Sequence, residues 1–230
     1  MTSRFIWALL TLALCHPGFA QSRKQVFLIG DSISIYYTPY LQSDLADAVL
    51  FSRKGPSQIE SVDEEVEDPQ ANGGDSRAVL NYLRMRFNDD RFHPDIVVVN
   101  CGLHDIKRNP NTNVIAIDSS EYRKNLIAMF ALLHSHKARV IWISTTPVDD
   151  ARHNSLSKQF YRYNADVERY NRIAREICAT RHIPIIDLYE FTAHLGKDHY
   201  IDHVHYDTST RELQAAFIAG AVTMLLNNSY

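Results

Sequence analysis

The stretch 26–32, VFLIGDS, decides the fold of this chain. An unbroken apolar run that ends at a glycine is typical of a strand covered on both faces, because a strand with one wet face would alternate apolar and polar residues. The polar residues that follow it form a strand-to-helix turn. We therefore predict a buried strand over 26–29 and a turn that exposes the hydroxyl of Ser32 at the edge of the sheet.

Similar apolar runs, each followed by polar residues, recur at 48–51, 96–99, 140–143 and 183–186. Amphipathic helical patterns lie between or after them, at 76–87, 119–137, 164–180 and behind a capping box at 209–212. Strands that alternate with helices predict an α/β fold with one parallel sheet between helical layers. Ligands of such sheets bind beyond the carboxyl ends of the strands, so the reactive residues are expected directly after strands.

The first 20 residues have the pattern of an export signal, which leaves 21–230 as a single domain. Arg4 supplies a positive charge, and the apolar run 5–15 is too short to span a bilayer. Small residues at 18 and 20 predict cleavage after Ala20 and a secreted or periplasmic protein with no integral membrane segment. A buried N-terminal helix is one alternative. A lipid anchor on Cys15 is disfavoured, because Leu14 stands where a small residue is needed.

The charge and the cysteine content of the chain bear on its partners and on disulfide formation. The formal net charge is −3 at pH 7, which gives no electrostatic basis for binding nucleic acid. Cys101 and Cys178 lie in apolar segments, so buried free thiols are favoured, although an exported compartment would permit a bridge. The stretch 60–68 holds six acidic residues and is predicted to be a solvated loop.

The segment 202–205, DHVH, lies just before the last predicted helix. An aspartate three residues before a histidine can orient the imidazole, whose other nitrogen can then accept a proton from a serine. This predicts that Asp202 orients His205 and that His205 serves Ser32 as a base. Several possible zinc ligands crowd the same region: His199, Asp202, His203, His205 and Asp207. Zinc is disfavoured, since no histidine pair one helical turn apart flanks a glutamate.

Two further segments could stabilise a negative charge. The segment 72–76, NGGDS, begins a predicted helix, where free backbone N–H groups suit an oxyanion. The segment 102–105, GLHD, follows the predicted strand at 96–99, and His104 there could donate a hydrogen bond into the same cavity. A plain helix cap and a satisfied loop histidine are the respective alternatives.

Taken together and in this order, the four segments resemble the SGNH hydrolase family, also called GDSL esterases and lipases. The resemblance covers the chain from the first strand to the last helix. It implies that Ser32 is the nucleophile, His205 the base and Asp202 the orienting acid, with no metal or cofactor. It also implies oxyanion donors at Ser32, Gly74 and His104, and a three-layer αβα sandwich with a five-stranded parallel sheet of order 2-1-3-4-5.

One block departs from the family pattern, which usually has Gly-x-Asn-Asp where this chain has GLHD at 102–105. The change resembles a subgroup in which the imidazole of His104 takes the place of the asparagine as a donor. The residues predicted to line the substrate pocket are Asp31, Tyr36, Asp105 and His203.

Tyrosines after Ser32 and a polar, aromatic rim at 149–163 favour a sugar ester, hence a carbohydrate O-acetylesterase acting on a small-molecule or polysaccharide ester. The alternatives are a lysophospholipase or thioesterase of the same family and a non-catalytic carbohydrate-binding protein. The sequence makes no prediction of oligomeric state.

Overall fold

A computed structural model describes residues 23–55 and 70–227 of the chain. The predicted export signal with its cleavage at Ala20 and the acidic stretch 60–68 lie outside these residues. The described part contains five strands and seven helices. In chain order they are β1 (Lys24–Ile29), α1 (Ser32–Asp44), β2 (Val49–Arg53), α2 (Ser76–Arg86), β3 (Ile96–Val99), α3 (Ser119–Ser135), β4 (Arg139–Ile143), α4 (Asp150–Leu156), α5 (Asn164–Thr180), β5 (Ile185–Ile186), α6 (Leu188–His194) and α7 (Thr208–Asn227).

The five strands form one sheet in the order β2-β1-β3-β4-β5, and every neighbouring pair is parallel. Helix α1 packs against α7, and α6 also contacts α7, while α2, α3 and α5 pack side by side as a second group. All four residues of β3 are buried, as expected for a strand with helices on both sides. The predicted α/β sandwich and its strand order are confirmed.

Several predicted element starts differ from the observed ones by one or two residues. Strand β5 begins at Ile185 rather than at 183, because Pro184 has no N–H to donate, although its carbonyl accepts from Trp142. Helix α7 begins at Thr208, and its cap is Asp207, whose carboxylate accepts the N–H of Thr210 at 2.8 Å. The predicted capping box at 209–212 therefore does not form.

Aspartate side chains begin most of the helices. Asp31, Asp75, Asp118, Asp149 and Asp187 each accept a backbone N–H of the first turn of the helix that follows. The first of these caps starts α1 immediately after β1, so that the residue at the helix N-terminus is the serine of the opening stretch. A local hydrogen bond therefore helps to fix the turn that carries Ser32.

No helix among residues 23–55 and 70–227 is both long and apolar enough to cross a membrane. Cys101 and Cys178 are buried free thiols, as predicted.

Candidate active site

Three of the predicted segments meet at the carboxyl edge of the sheet. Ser32 follows β1, the segment 102–105 follows β3, and 202–205 is the loop that leads into α7. Strand β1 lies between β2 and β3. The chain therefore crosses from β1 to β2 on one side and returns to β3 on the other side, which reverses the direction in which strands are added to the sheet. Such a switch point leaves a crevice at the strand ends, and the site lies there.

A continuous chain of hydrogen bonds joins Asp202, His205 and Ser32. The Oδ2 atom of Asp202 lies 2.6 Å from Nδ1 of His205, and Nε2 of His205 lies 2.8 Å from Oγ of Ser32. An ionised carboxylate can only accept, so the proton of the neutral imidazole resides on Nδ1. The lone pair of Nε2 then faces the serine hydroxyl, which is the arrangement that a general base requires.

The charge of Asp202 is held by the surrounding hydrogen bonds. Burial alone would raise its pKa, but the bond from the His205 ring and the bonds from the N–H groups of Val204 and His205, both 2.7 Å long, outweigh it. The pKa of Asp202 therefore lies well below its usual range. The carboxylate stays ionised and can stabilise a protonated imidazole.

The loop that carries Asp202 is braced from α4. Arg152 donates from Nε to the carbonyl of Asp202 at 2.5 Å and from Nη2 to the carbonyl of Tyr200 at 3.0 Å. The hydroxyls of Tyr200 and Tyr206 both donate to the carbonyl of Pro147, at 2.9 and 3.0 Å. The sequence analysis included Arg152 only in the polar rim at 149–163. Its bond to the carbonyl of Asp202 joins residues 50 positions apart, and no local sequence pattern predicts such a contact.

The predicted donor Gly74 is engaged in a local turn. Its φ of +75° favours glycine, and its N–H donates to Oδ1 of Asn72 at 2.9 Å. The neighbouring N–H of Gly73 donates to the carbonyl of Gly30 at 2.7 Å, which ties this turn to the one that carries Ser32. Gly74 can serve an oxyanion only if the Asn72 side chain releases its N–H.

His104 lies beside Ser32 in the wall of a cleft. Burial, together with the positive charges of Lys107 and Arg162, lowers the pKa of His104 to about 3, so the ring is neutral near pH 7. A neutral imidazole has one N–H to donate. The turn before it is fixed at Gly102, where φ is +151° and an added Cβ would lie 2.3 Å from Oγ1 of Thr145.

Three of the four predicted pocket residues, Asp31, Tyr36 and Asp105, are not among the residues that line this cleft. Asp31 caps α1, and burial raises its pKa even though Arg162 lies nearby. Tyr36 packs its ring edge against His205, at 4.7 Å between ring centres.

Asp105, the third, accepts the N–H of Ser76 with both carboxylate oxygens at 3.0 Å and so holds the start of α2. Burial raises the pKa of Asp105 to about 7, against the hydrogen bonds from Ser76. These three residues support the site from behind. The fourth predicted residue, His203, does line the cleft.

The possible zinc ligands do not converge. His199 pairs with Asp207 at 3.1 Å, whereas Asp202 is turned to His205. Among the residues that the structure describes, no group of three histidine, cysteine, aspartate or glutamate side chains could hold a metal ion.

We call the cavity at Ser32 the Ser32 cleft; its volume is about 440 Å³. Its wall includes Ser32, His104, Lys107, Lys158, Phe160, Arg162 and His203. Lys107 was missed by sequence reasoning, and its place two residues beyond the 102–105 segment was the available signal. The cleft size falls in the usual range for small-ligand sites.

Solved structures show the same fold at low sequence identity. A lipase/acylhydrolase from Enterococcus faecalis is 21% identical with a TM-score of 0.63, over 88% of this chain and 96% of that one. Est24, a carbohydrate acetylesterase from Sinorhizobium meliloti, is 15% identical with a TM-score of 0.61, over 88% and 100%. The catalytic domain of the peptidoglycan O-acetyltransferase OatA from Streptococcus pneumoniae is 17% identical with a TM-score of 0.54, over 90% and 94%.

No curated protein sequence matches the chain. The family model described as the GDSL-like Lipase/Acylhydrolase family, by contrast, matches residues 28–209, which begin in β1 and end in the first turn of α7. This range contains Gly30, Asp31 and Ser32 and the segments 72–76, 102–105 and 202–205. The chain therefore belongs to the GDSL-like Lipase/Acylhydrolase family, and it is a hydrolase of ester bonds.

Proposed function

We propose that this protein hydrolyses its ester through a covalent acyl-enzyme on Ser32. The observation that carries the proposal is the unbroken chain from Asp202 through His205 to Ser32, with heteroatom distances of 2.6 and 2.8 Å. A chain of this geometry pairs a nucleophile, a base and an orienting acid. A protein that only bound its ligand would have no use for it.

In the proposed reaction, Oγ of Ser32 attacks the ester carbonyl while Nε2 of His205 takes the hydroxyl proton. The resulting imidazolium is stabilised by the ionised Asp202. The tetrahedral intermediate collapses when His205 returns the proton to the leaving alcohol. Water then attacks the acyl-enzyme by the same steps and releases the acid, which regenerates Ser32.

The oxyanion is proposed to be met by the N–H groups of Ser32 and Gly74 and by the neutral ring of His104. The N–H of Ser32 is at the first position of α1, where no intrahelical acceptor exists. Gly74 can contribute only if its N–H leaves Oδ1 of Asn72 and donates to the oxyanion instead. Each such donor contributes about 10²–10³ in turnover in enzymes of this type.

For the substrate we propose an O-acetylated carbohydrate. The Ser32 cleft is small and its lining is mostly polar, which suits a short acyl group on a hydrophilic alcohol better than a long acyl chain. The similarity to a carbohydrate acetylesterase and to a peptidoglycan O-acetyltransferase supports the same class. We further propose export with cleavage after Ala20, which the intact mass of the protein recovered outside the cytoplasm would test.

The test is hydrolysis of an aryl acetate and an aryl decanoate by the wild type, Ser32→Ala and His205→Ala. We expect the wild type to prefer the acetate, and both variants to lose at least about 10³-fold in kcat. A chelator should change nothing. Activity that survives Ser32→Ala would refute the nucleophile, a preference for decanoate would favour the lysophospholipase or thioesterase alternative, and no turnover of any ester would favour a binding protein.

A further inference from the structure

We infer that Tyr36 and Arg211 are positioning residues that keep the His205 ring aligned while the acyl-enzyme is hydrolysed. The inference rests on the proposed function, since it takes Ser32 as the acylated residue and His205 as the base. It concerns the second half of the reaction, in which the base loses one of the two hydrogen bonds that orient its ring.

In the resting protein, the His205 ring is oriented by one hydrogen bond at each nitrogen. Nδ1 donates to Oδ2 of Asp202 at 2.6 Å, and Nε2 accepts from Oγ of Ser32 at 2.8 Å. In the acyl-enzyme, Oγ of Ser32 is bonded to the acyl carbon and carries no proton, so it has nothing to donate to Nε2. Of these two hydrogen bonds, only the one to Asp202 then remains.

A hydrogen bond at Nδ1 alone does not fix the orientation of the ring. Rotation about the bond from Cβ to the ring has a broad energy profile, because it joins a tetrahedral carbon to a planar one. Hydrolysis of the acyl-enzyme nevertheless requires Nε2 of His205 to face the water that attacks the acyl carbon on Ser32. Packing against the ring must therefore supply the second constraint.

Tyr36 in helix α1 provides a packing contact of this kind. Its ring meets the ring of His205 edge-on, with 4.7 Å between the ring centres and 62° between the planes, an arrangement that is favourable between aromatic rings. Both residues are buried, at 5% and 3% exposed, and the close packing of buried side chains limits their rotation. The contact does not involve the proton of Ser32, so acylation leaves it in place.

Arg211 in helix α7 joins the Tyr36 ring to the backbone beside His205. Its guanidinium carbon lies 4.2 Å from the centre of the Tyr36 ring, a distance at which a cation is attracted to the face of an aromatic ring. Its Nε donates at 2.6 Å to the carbonyl of Tyr206, the residue that directly follows His205. One buried side chain therefore contacts both the ring that packs on His205 and the chain next to it.

The step that depends on this alignment is the attack of water on the acyl-enzyme. One O–H bond of the water breaks as its proton moves to Nε2 of His205, and the water oxygen bonds to the acyl carbon. The bond from that carbon to Oγ of Ser32 then breaks, the acid leaves, and the proton returns from Nε2 to Oγ. Acylation, by contrast, starts with the Ser32 hydroxyl already bonded to Nε2. We therefore expect the loss of Tyr36 or Arg211 to slow deacylation more than acylation.

The experiment measures the two steps separately with an aryl acetate. Release of the aryl alcohol in the first turnover after rapid mixing gives the acylation rate. Loss of the acetyl group from Ser32 after the substrate is removed, followed by mass spectrometry, gives the deacylation rate. We expect Tyr36→Leu to lower the deacylation rate about 10- to 100-fold and the acylation rate by less than about threefold. Once deacylation is limiting, kcat and KM should fall together.

Two further variants test the parts of this contact. Tyr36→Phe keeps the ring and removes only the hydroxyl, so both rates should return to within about threefold of the wild type. Arg211→Met keeps Tyr36 and removes the cation from its ring and the bond to the Tyr206 carbonyl. In this variant the ratio of the deacylation rate to the acylation rate should fall about three- to tenfold.

Two matched controls separate positioning from general destabilisation. Leu41→Ala removes a buried side chain further along α1, the helix of Tyr36. Arg139→Met removes an arginine bond to the carbonyl of Leu225, at 3.2 Å, near the other end of α7. Both controls should keep the wild-type ratio of the two rates, even where they lower Tm.

The outcomes separate the inference from the function beneath it. Equal losses of the two rates in Tyr36→Leu, or a ratio that neither Tyr36→Leu nor Arg211→Met lowers, would overturn the inference and leave the esterase intact. A control variant that lowers the ratio as far as these two variants would also overturn it. If Tyr36→Leu does not fold, Arg211→Met decides the question. Undiminished hydrolysis of the aryl acetate by Ser32→Ala would instead show that the proposed function is wrong.

Discussion

Replacing Asp202 by asparagine separates what this carboxylate does for catalysis from what it does for the loop. Its Oδ1 accepts the N–H groups of Val204 and His205, and its Oδ2 accepts from Nδ1 of the His205 ring. In Asp202→Asn the amide oxygen can keep both backbone bonds, so the loop should retain its shape. The amide NH₂ then faces Nδ1 of His205 and can only donate to it.

The imidazole of the variant must therefore place its proton on Nε2, which faces Oγ of Ser32 at 2.8 Å. A protonated Nε2 cannot accept the serine proton. The cost of this wrong tautomer in a comparable triad is about 10⁴ in kcat. That loss corresponds to roughly 5 kcal/mol of transition-state stabilisation. Because the ground-state contacts of the substrate are unchanged, KM should move by less than about threefold.

The assay is steady-state hydrolysis of an aryl acetate by the wild type, Asp202→Asn and Asp202→Ala, with thermal melting of each. We expect Asp202→Asn to melt close to the wild type and to lose about 10³- to 10⁴-fold in kcat. Asp202→Ala should also melt lower, since it strands two backbone N–H groups. More than a tenth of wild-type kcat in Asp202→Asn, with an intact fold, would refute the tautomer argument.

Three further changes test the surroundings of the site. Arg152→Met removes the hydrogen bonds to the carbonyls of Tyr200 and Asp202, and we expect kcat for aryl acetate to fall roughly 10- to 100-fold, with partial recovery in Arg152→Lys. An unchanged kcat would show that these bonds are dispensable. The kcat of His104→Asn should stay within about tenfold of the wild type, while His104→Ala should lose about 10²–10³ in kcat, and equal losses in both variants would argue against a hydrogen-bond donor at this position. The acid limb of the kcat/KM profile should not move in His104→Asn, because a His104 ring with a pKa of about 3 is already neutral in that pH range. The pKa of Asp105 is raised from 3.8 to about 7, so the folded state holds the proton more tightly and the stability of the protein should fall as pH rises from about 4 to about 7. In Asp105→Asn the fall in Tm between pH 4.5 and pH 7.5 should be smaller than in the wild type, and an equal fall would contradict the raised pKa.

The sheet was predictable because its strands are continuous apolar runs, a pattern that helices of this length do not share. Helix α1 was not bounded from the sequence for the opposite reason. Its first seven residues, from Ser32 to Thr38, are all buried, so the helix shows no polar face, and it also contains Pro39. Helices α4 and α6, at seven residues each, are too short to display a helical period.

The hydrogen-bonded chain of Ser32, His205 and Asp202 was predictable because each residue lies in a short motif whose spacing has a chemical reason. The neighbours of these residues were not. Whether Tyr36 and Asp105 face the cleft or the core depends on packing between distant elements, and the bond from Gly74 to Asn72 depends on a side-chain rotamer. The meeting of Lys107 and Arg162 at the cleft was equally hidden, because the two residues come from separate loops.

The central claim, that Ser32 is the nucleophile, is tested most directly by covalent labelling. The wild type is incubated with an alkyl fluorophosphonate, and the adduct is located by mass spectrometry of the digested protein. We expect one adduct, on Ser32, that is absent in Ser32→Ala. It should form much more slowly in His205→Ala, because that variant lacks the imidazole that lies 2.8 Å from the hydroxyl and is proposed to activate it. An adduct on another residue that persists in Ser32→Ala, together with undiminished ester hydrolysis by that variant, would contradict the central claim.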